Sequence, residues 1–180
     1  MRIYTRKGDD GTTGLYFGGR TAKDAPLVDA YGTVDEAQAF LGLARAEAER
    51  GSELDDLLVA VERDLWVLMA DLATGEENRH KLSAGQSLVT EEMVTGLEAH
   101  IDALTERSEA PAEFVVPGQS RTGALLDVAR TVVRRAERQS VRTAAPGSLA
   151  VTYLNRLSDL LWTMARWQEG ESLPARPKES

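Results

Sequence analysis

Residues able to do chemistry gather first at the N-terminus. Five glycines (Gly8, Gly11, Gly14, Gly18, Gly19) alternate there with the hydroxyls of Thr5, Thr12 and Thr13 and the cations of Arg6, Lys7 and Arg20. No helical apolar period runs through them. Glycine lets backbone N–H groups turn into a concave nest that holds an anion, and hydroxyls and cations add donors and charge. That is the chemistry of a polyphosphate cradle. The same composition also suits a flexible tail, and the segment alone leaves both readings open. It is neither a Walker loop, since no Gly-x-x-x-x-Gly-Lys-Ser/Thr occurs, nor a Rossmann turn, since no apolar run precedes Gly8. Asp9 and Asp10 would repel phosphate unless a divalent cation bridged them.

A second concentration lies at 127–138. At about 100° per residue, Asp127, Arg130, Arg134, Glu137 and Arg138 share one helix face, with Leu125, Ala129, Val132, Val133 and Ala136 opposite. One reading is a solvated face laced by the pairs Asp127–Arg130 and Arg134–Glu137. The other is an oxyanion-binding stripe. All four cations from Arg130 to Arg138 are arginine, whose guanidinium fork grips phosphate bidentately as lysine cannot.

Further along, Asn155, Ser158, Asp159, Trp162 and Arg166 form another polar stripe. A tryptophan there suggests a subunit interface or a ligand wall. Asp35 and Gln38 share a face of an earlier helix; one reading is surface polarity, and the other, since Asp35 has no cation at favourable spacing within the helix, is a partner from elsewhere. Other chemistries lack their residues. A di-metal bundle needs two Glu-x-x-His motifs, and only Glu77-x-x-His80 occurs. No nucleophile elbow is present, and His80 and His100 read as surface residues. With no cysteine there are no disulfides, thiolate metal sites or Cys nucleophiles.

The elements that position these residues read as helices. The chain has 180 residues, suiting one domain over 1–180, and a net charge of −8 that argues against nucleic acid. No run is long enough to span a membrane and no signal peptide opens the chain, so a cytoplasmic protein is expected. Beyond a loop over 1–25, a helix starts near Leu27 and its pattern stops at Gly51. A second is capped by Ser52 with Asp55 three residues on. Gly75–Gln86 reads as a loop. Thr90 caps a third helix, 108–120 is a connection, and a fourth helix spans about 121–142. Ala145-Pro146-Gly147 is a break, after which Ser148 opens a fifth. The tail over 170–180 should fray. The expected fold is an all-α, five-helix antiparallel bundle, close to a four-helix bundle, with a glycine-rich N-terminal loop.

Separated motifs then carry a resemblance. They are Tyr4-Thr5-Arg6-Lys7-Gly8-Asp9-Asp10-Gly11-Thr12-Thr13-Gly14-Leu15, Tyr31-Gly32-Thr33-Val34-Asp35-Glu36, Phe114-Val115-Val116-Pro117-Gly118, Ala129-Arg130-Thr131-Val132-Val133-Arg134-Arg135-Ala136-Glu137-Arg138 and Tyr153-Leu154-Asn155-Arg156-Leu157-Ser158-Asp159. In this order, over residues 2–168, the chain resembles the PduO-type ATP:cob(I)alamin adenosyltransferases. The resemblance implies a homotrimer with active sites between subunits. It implies transfer of the 5′-deoxyadenosyl group of ATP to the cobalt of a reduced corrinoid, with magnesium assisting and triphosphate leaving. An electron-donating reductase and an adenosylcobalamin-dependent acceptor enzyme are the implied partners.

By the same resemblance, Thr5, Arg6, Lys7, Gly8, Gly11, Thr12, Thr13 and Arg20 form the ATP loop. Arg134, Glu137, Arg138 and Asn155 also contact ATP, with Glu137 placing the metal. Arg130 pairs with Asp35 across the subunit boundary, and both border the corrinoid. Phe114 crowds the lower face of the corrin and displaces the lower axial ligand. Arg130, Arg134, Asp35 and Phe114 are the implied catalytic set. Asp127, Gln119 and Gln38 depart from the usual pattern, where His, Gly and Asn stand. A non-catalytic carrier or sensor of ATP or adenosylcobalamin is the alternative. A purely structural bundle would leave the arginine stripe without a purpose.

Overall fold

The computed structural model describes residues 3–108, 111 and 113–176. Five long helices dominate: α1 (Pro26–Ala46), α2 (Glu53–Leu72), α3 (Glu91–Thr105), α4 (Arg121–Ser140) and α5 (Ala150–Glu169). Local chemistry starts them. Pro26 opens α1 at a position that needs no N–H. Ser52, Thr90 and Ser120 cap α2, α3 and α4 by accepting from the N–H of Asp55, Met93 and Gly123.

The helices pack α1 on α4 and α2, α4 on α5, and α5 on α3. Ala30, Ala37 and Ala44 of α1 and Ala129 and Ala136 of α4 are wholly buried. Small side chains on both helices let their axes approach closely. Leu41, Leu58, Leu65, Leu126, Leu157, Leu161 and Met164 fill the space between the layers. Two polar ties hold the helices together, one part-buried and one buried. The Tyr153 hydroxyl donates to Asp64 Oδ2 at 3.0 Å, linking α5 to α2. Asp71, at the end of α2, receives Arg79 at 2.8 Å, the Val89 N–H at 3.2 Å and the Ser148 hydroxyl at 3.2 Å. A buried carboxylate is stable only when partnered this fully.

The bundle differs from expectation at its edges. The first helix stops at Ala46, and the fourth at Ser140. Glu76–Lys81, read as loop, is a 3-10 helix. The fifth helix starts at Ala150, where the Ser148 hydroxyl donates to Asp71 Oδ2 at 3.2 Å while its oxygen accepts from the Ala150 N–H at 3.2 Å. Strands β1 (Thr12–Gly14) and β2 (Arg20–Ala22) pair antiparallel near the N-terminus. Strands β3 (Val115–Val116) and β4 (Leu173–Pro174) pair antiparallel across the molecule. Part of the tail expected to fray is therefore tied down, because an extended chain satisfies its backbone groups on an open edge. Residues 177–180 of that tail lie outside the described residues.

Candidate functional site

The glycine-rich segment is an ordered hairpin. Strands β1 and β2 are joined by a tight loop in which Gly18 and Gly19 take φ of +105° and +89°, values that side-chain-bearing residues rarely adopt. Arg20 organises it. Its Nε donates to Thr12 Oγ1 at 3.0 Å, its Nη2 donates to the Lys7 carbonyl at 2.6 Å, and it lies 3.6 Å from Asp10. Thr12 in turn donates its hydroxyl to Asp10 Oδ1 at 2.7 Å. That bond, then the Thr12 N–H, hold the Asp10 carboxyl below its usual pKa. Asp10 thus buttresses the loop. Thr5 accepts from the Lys7 N–H at 3.4 Å, and Arg6 lies over the Tyr4 ring at 5.6 Å. Gly8, Gly11 and Thr13 complete the turn and the strand. The hairpin docks by its tip: the Tyr16 N–H donates to the Ala73 carbonyl at 2.9 Å. Thr13 lies beside the Tyr31 hydroxyl, whose pKa burial raises.

A cleft of about 470 Å³ opens at the other conspicuous site, between α4, α5 and the segment before α4. Phe114, Val115, Pro117 and Trp162 form its apolar walls, and Asp127, Arg130 and Arg166 its polar floor. Phe114 is 91% exposed, held out by its segment with no packing partner of its own. A large aromatic in that state is a contact surface. β3 follows immediately, and the Ala175 N–H donates to the Phe114 carbonyl at 2.7 Å. The residue is thus anchored at the start of the β3–β4 pairing.

On the floor, Arg130 Nε donates to Asp127 Oδ1 at 3.1 Å, the pair expected from their spacing. Asp127 is not part of a solvated face, however. It is buried, with Arg166 Nη2 donating to its Oδ2 at 2.5 Å. Sequence reasoning missed that partner because Arg166 lies on another helix. Its signal was the arginine ending the Trp162 stripe.

The rest of the α4 stripe continues away from the cleft. Arg134 and Arg138 are exposed, and among the described residues neither meets a carboxylate. The expected Arg134–Glu137 pair does not form. Glu137 Oε1 accepts instead from Asn155 Nδ2 at 3.0 Å, which brings a residue of α4 and one of α5 together. Arg135 points elsewhere and pairs with Glu36 of α1. Asp35 is exposed on α1. Among the described residues no hydrogen bond or ion pair joins it to Arg130, and none joins the hairpin to α4. Within one chain the predicted residues therefore form three clusters: the hairpin, the stripe and the cleft.

Among the described residues no group of three His, Cys, Asp or Glu side chains could hold a metal alone. Glu137 offers one carboxylate oxygen beside the one Asn155 occupies. That suits magnesium, which keeps its waters and is completed by phosphate oxygens.

The chain is thus a helical bundle that carries a glycine-rich hairpin, an arginine stripe and an aromatic-walled cleft. The cobalamin adenosyltransferase family profile matches residues 3–168, and the chain belongs to that family. It is 42% identical over 173 residues to the corrinoid adenosyltransferase of Bacillus subtilis, covering 92% of this chain and 86% of that one. Identity to corrinoid adenosyltransferase PduO of Salmonella typhimurium is 38%, and the match spans 96% of this chain but about half (51%) of that relative. A variant PduO-type ATP:corrinoid adenosyltransferase from Lactobacillus reuteri, complexed with cobalamin and ATP, superposes with a TM-score of 0.87 at 29% identity. That match covers 98% of this chain and 100% of that one. A second variant of that enzyme, complexed with ATP, gives 0.84 at 31%, covering 97% and 100%.

Proposed function

We propose that this chain transfers the 5′-deoxyadenosyl group of ATP to the cobalt of a reduced corrinoid. The observation that carries the reading is the cleft in which Phe114 and Trp162 stand over the Asp127–Arg130 pair, one turn from Arg134, which meets no carboxylate among the described residues. Flat apolar walls suit one face of a macrocycle. The free guanidinium groups suit a polyphosphate.

The residues divide the work. The cobalt lone pair attacks the ribose C5′, the C5′–O bond breaks, and its electrons leave on triphosphate. No general base is needed, so the protein's contribution is in-line positioning and charge stabilisation. Arg134 and Arg138 grip the triphosphate, while Lys7 and the Thr12–Arg20 hairpin close over it. Asn155 fixes Glu137, which would hold magnesium. When bound, that ion would neutralise charge on the leaving phosphates. Phe114 fills the space of the lower axial ligand. A cobalt without that ligand is easier to reduce, since axial ligation is a lever on metal potential. The three clusters complete one site if the chain assembles as a homotrimer in which Asp35 of one subunit meets Arg130 of the next. A cytoplasmic location, where a reductase supplies the electron and an adenosylcobalamin-dependent enzyme takes the product, fits this chemistry.

The test is direct. Protein, ATP, magnesium and chemically reduced cobalamin are mixed, and the Co–C bond is followed by its absorbance. Formation of the bond is the expected result. Binding of both substrates with no bond formed would make the chain a carrier or sensor instead.

A further inference from the structure

One side chain outside the cleft ties its two sides together. Glu169 ends α5, and its side chain is completely buried. Its Oε1 accepts from the N–H of Gly118 at 3.4 Å and of Gln119 at 3.2 Å. These groups lie at the N-terminus of α4, where Ser120 is the cap and the first turn carries no acidic residue. Glu169 therefore supplies, from another helix, the negative charge that the start of α4 lacks. Its Oε2 lies 3.1 Å from Arg166 Nη2. That same Nη2 donates to Asp127 Oδ2, and Asp127 Oδ1 receives Arg130. A continuous line of alternating charge thus runs from the turn after Phe114, through Glu169, Arg166 and Asp127, to Arg130.

The backbone is shaped for this line. Gly118 takes φ of +107°, which turns the segment after Pro117 toward Glu169. At Gly123 a Cβ would stand 2.8 Å from Glu169 Cγ and 3.0 Å from its Oε1, so the absence of a side chain there makes room for the carboxylate. Two atoms of the line, Arg166 Nε and Glu169 Oε2, are buried without a hydrogen bond. Only two cations and two carboxylates balance each other, and removing any member strands another in a dry place.

We propose that Glu169 and Arg166 are positioning residues. Through Gly118 and Gln119 they fix the segment that presents Phe114, and through Asp127 they fix Arg130 against it. The inference rests on the adenosyl-transfer reading of the cleft. The line sets the height of Phe114 above the cleft floor, which matters only when a lower ligand must be displaced.

The experiment compares Glu169→Ala and Glu169→Gln with the unaltered protein on Co(II) cobalamin and on Co(II) cobinamide, which lacks the lower nucleotide, with a reduced flavin as electron donor so that reduction on the protein is part of turnover. Glu169→Ala should lower kcat with cobalamin about 10- to 100-fold, the size of effect a misplaced group produces. Cobinamide turnover and the KM for ATP should stay near those of the unaltered protein. Glu169→Gln keeps the acceptor for both N–H groups and should recover part of the loss. Hydrogen exchange at the Gly118 and Gln119 amides should quicken in the alanine variant. Gly123→Ala is the second variant, should Glu169→Ala not fold. It keeps the Glu169 carboxylate but pushes it from its place beside Gly118 and Gln119, so it should give the same split between corrinoids, with a smaller loss of Tm than Glu169→Ala because no charge is removed. Equal loss on both corrinoids, or no loss on either, overturns the proposal. If the unaltered protein adenosylates neither corrinoid, it is the reading of the cleft that fails.

Discussion

Arg134 and Arg135 are neighbours in sequence with opposite surroundings. Arg135 is engaged by Glu36 across the α1–α4 interface, and Arg134 faces outward on the stripe. Arg134→Ala should raise the KM for ATP about 10- to 100-fold, the cost of losing one charge-assisted fork at roughly 1.5–3 kcal/mol. Arg135→Ala removes a half-exposed pair and should cost only about 0–1 kcal/mol of stability, with the KM unchanged. Steady-state kinetics and a melting curve on both variants check this, and equal KM values would remove Arg134 from the site. Phe114→Ala should abolish the spectral signature of four-coordinate Co(II) in cobalamin bound with ATP, while ATP binding is retained. Wild-type yield of that signature would reduce Phe114 to a packing residue. The arginine stripe was legible because residue type and a 100° rotation both report on it. The burial of Asp127 was not, because it depends on Arg166, whose contact is tertiary.

Between elements, the tie from Asp64 on α2 to Tyr153 on α5 sets a pH dependence. Burial raises the Asp64 pKa above its ordinary 3.8, more than the Tyr153 hydrogen bond lowers it. The folded state therefore favours the acid form. That preference contributes fully below the unfolded value and is lost as pH rises through the folded one. Asp64→Asn keeps an acceptor for Tyr153 and carries no charge. It should raise the Tm at pH 7, with the advantage shrinking toward pH 4, as a melting series across that range will show. A constant difference would mean that the charge is not the cause. Helix starts at Ser52 and Thr90 were readable because the cap and its N–H lie three residues apart. The start of α5 was less so: Ser148 accepts from the Ala150 N–H only two residues on, and its hydroxyl also donates to Asp71 of α2, a tertiary contact that spacing does not report. The Leu173–Pro174 strand was equally hidden, because its partner lies at 115–116.

For the whole molecule, among the described residues no hydrogen bond or ion pair joins Asp35 to Arg130 or the hairpin to α4, which is why assembly is expected. Light scattering should give three times the 19.6 kDa chain mass, and a monomer at micromolar concentration would sink the intersubunit site. Asp35→Asn and Arg130→Met, each alone, should cost about 2–5 kcal/mol in assembly or corrinoid binding, and a double-mutant cycle should show strong coupling. Additive effects would leave Arg130 to Asp127 alone. The packing of α1 on α4 also has a consequence in time. The first helix ends at Ala46 and its chief partner begins at Arg121, so the bundle closes only across a long stretch of chain. Contacts so distant in sequence form late. The caps of α2 and α3 are local and act at once. On refolding, far-ultraviolet helical signal should therefore return first. Trp162 fluorescence, read in a variant with Trp66→Phe and Trp167→Phe, reports a cleft made of segments 113–117 and 127–166 and should lag behind it.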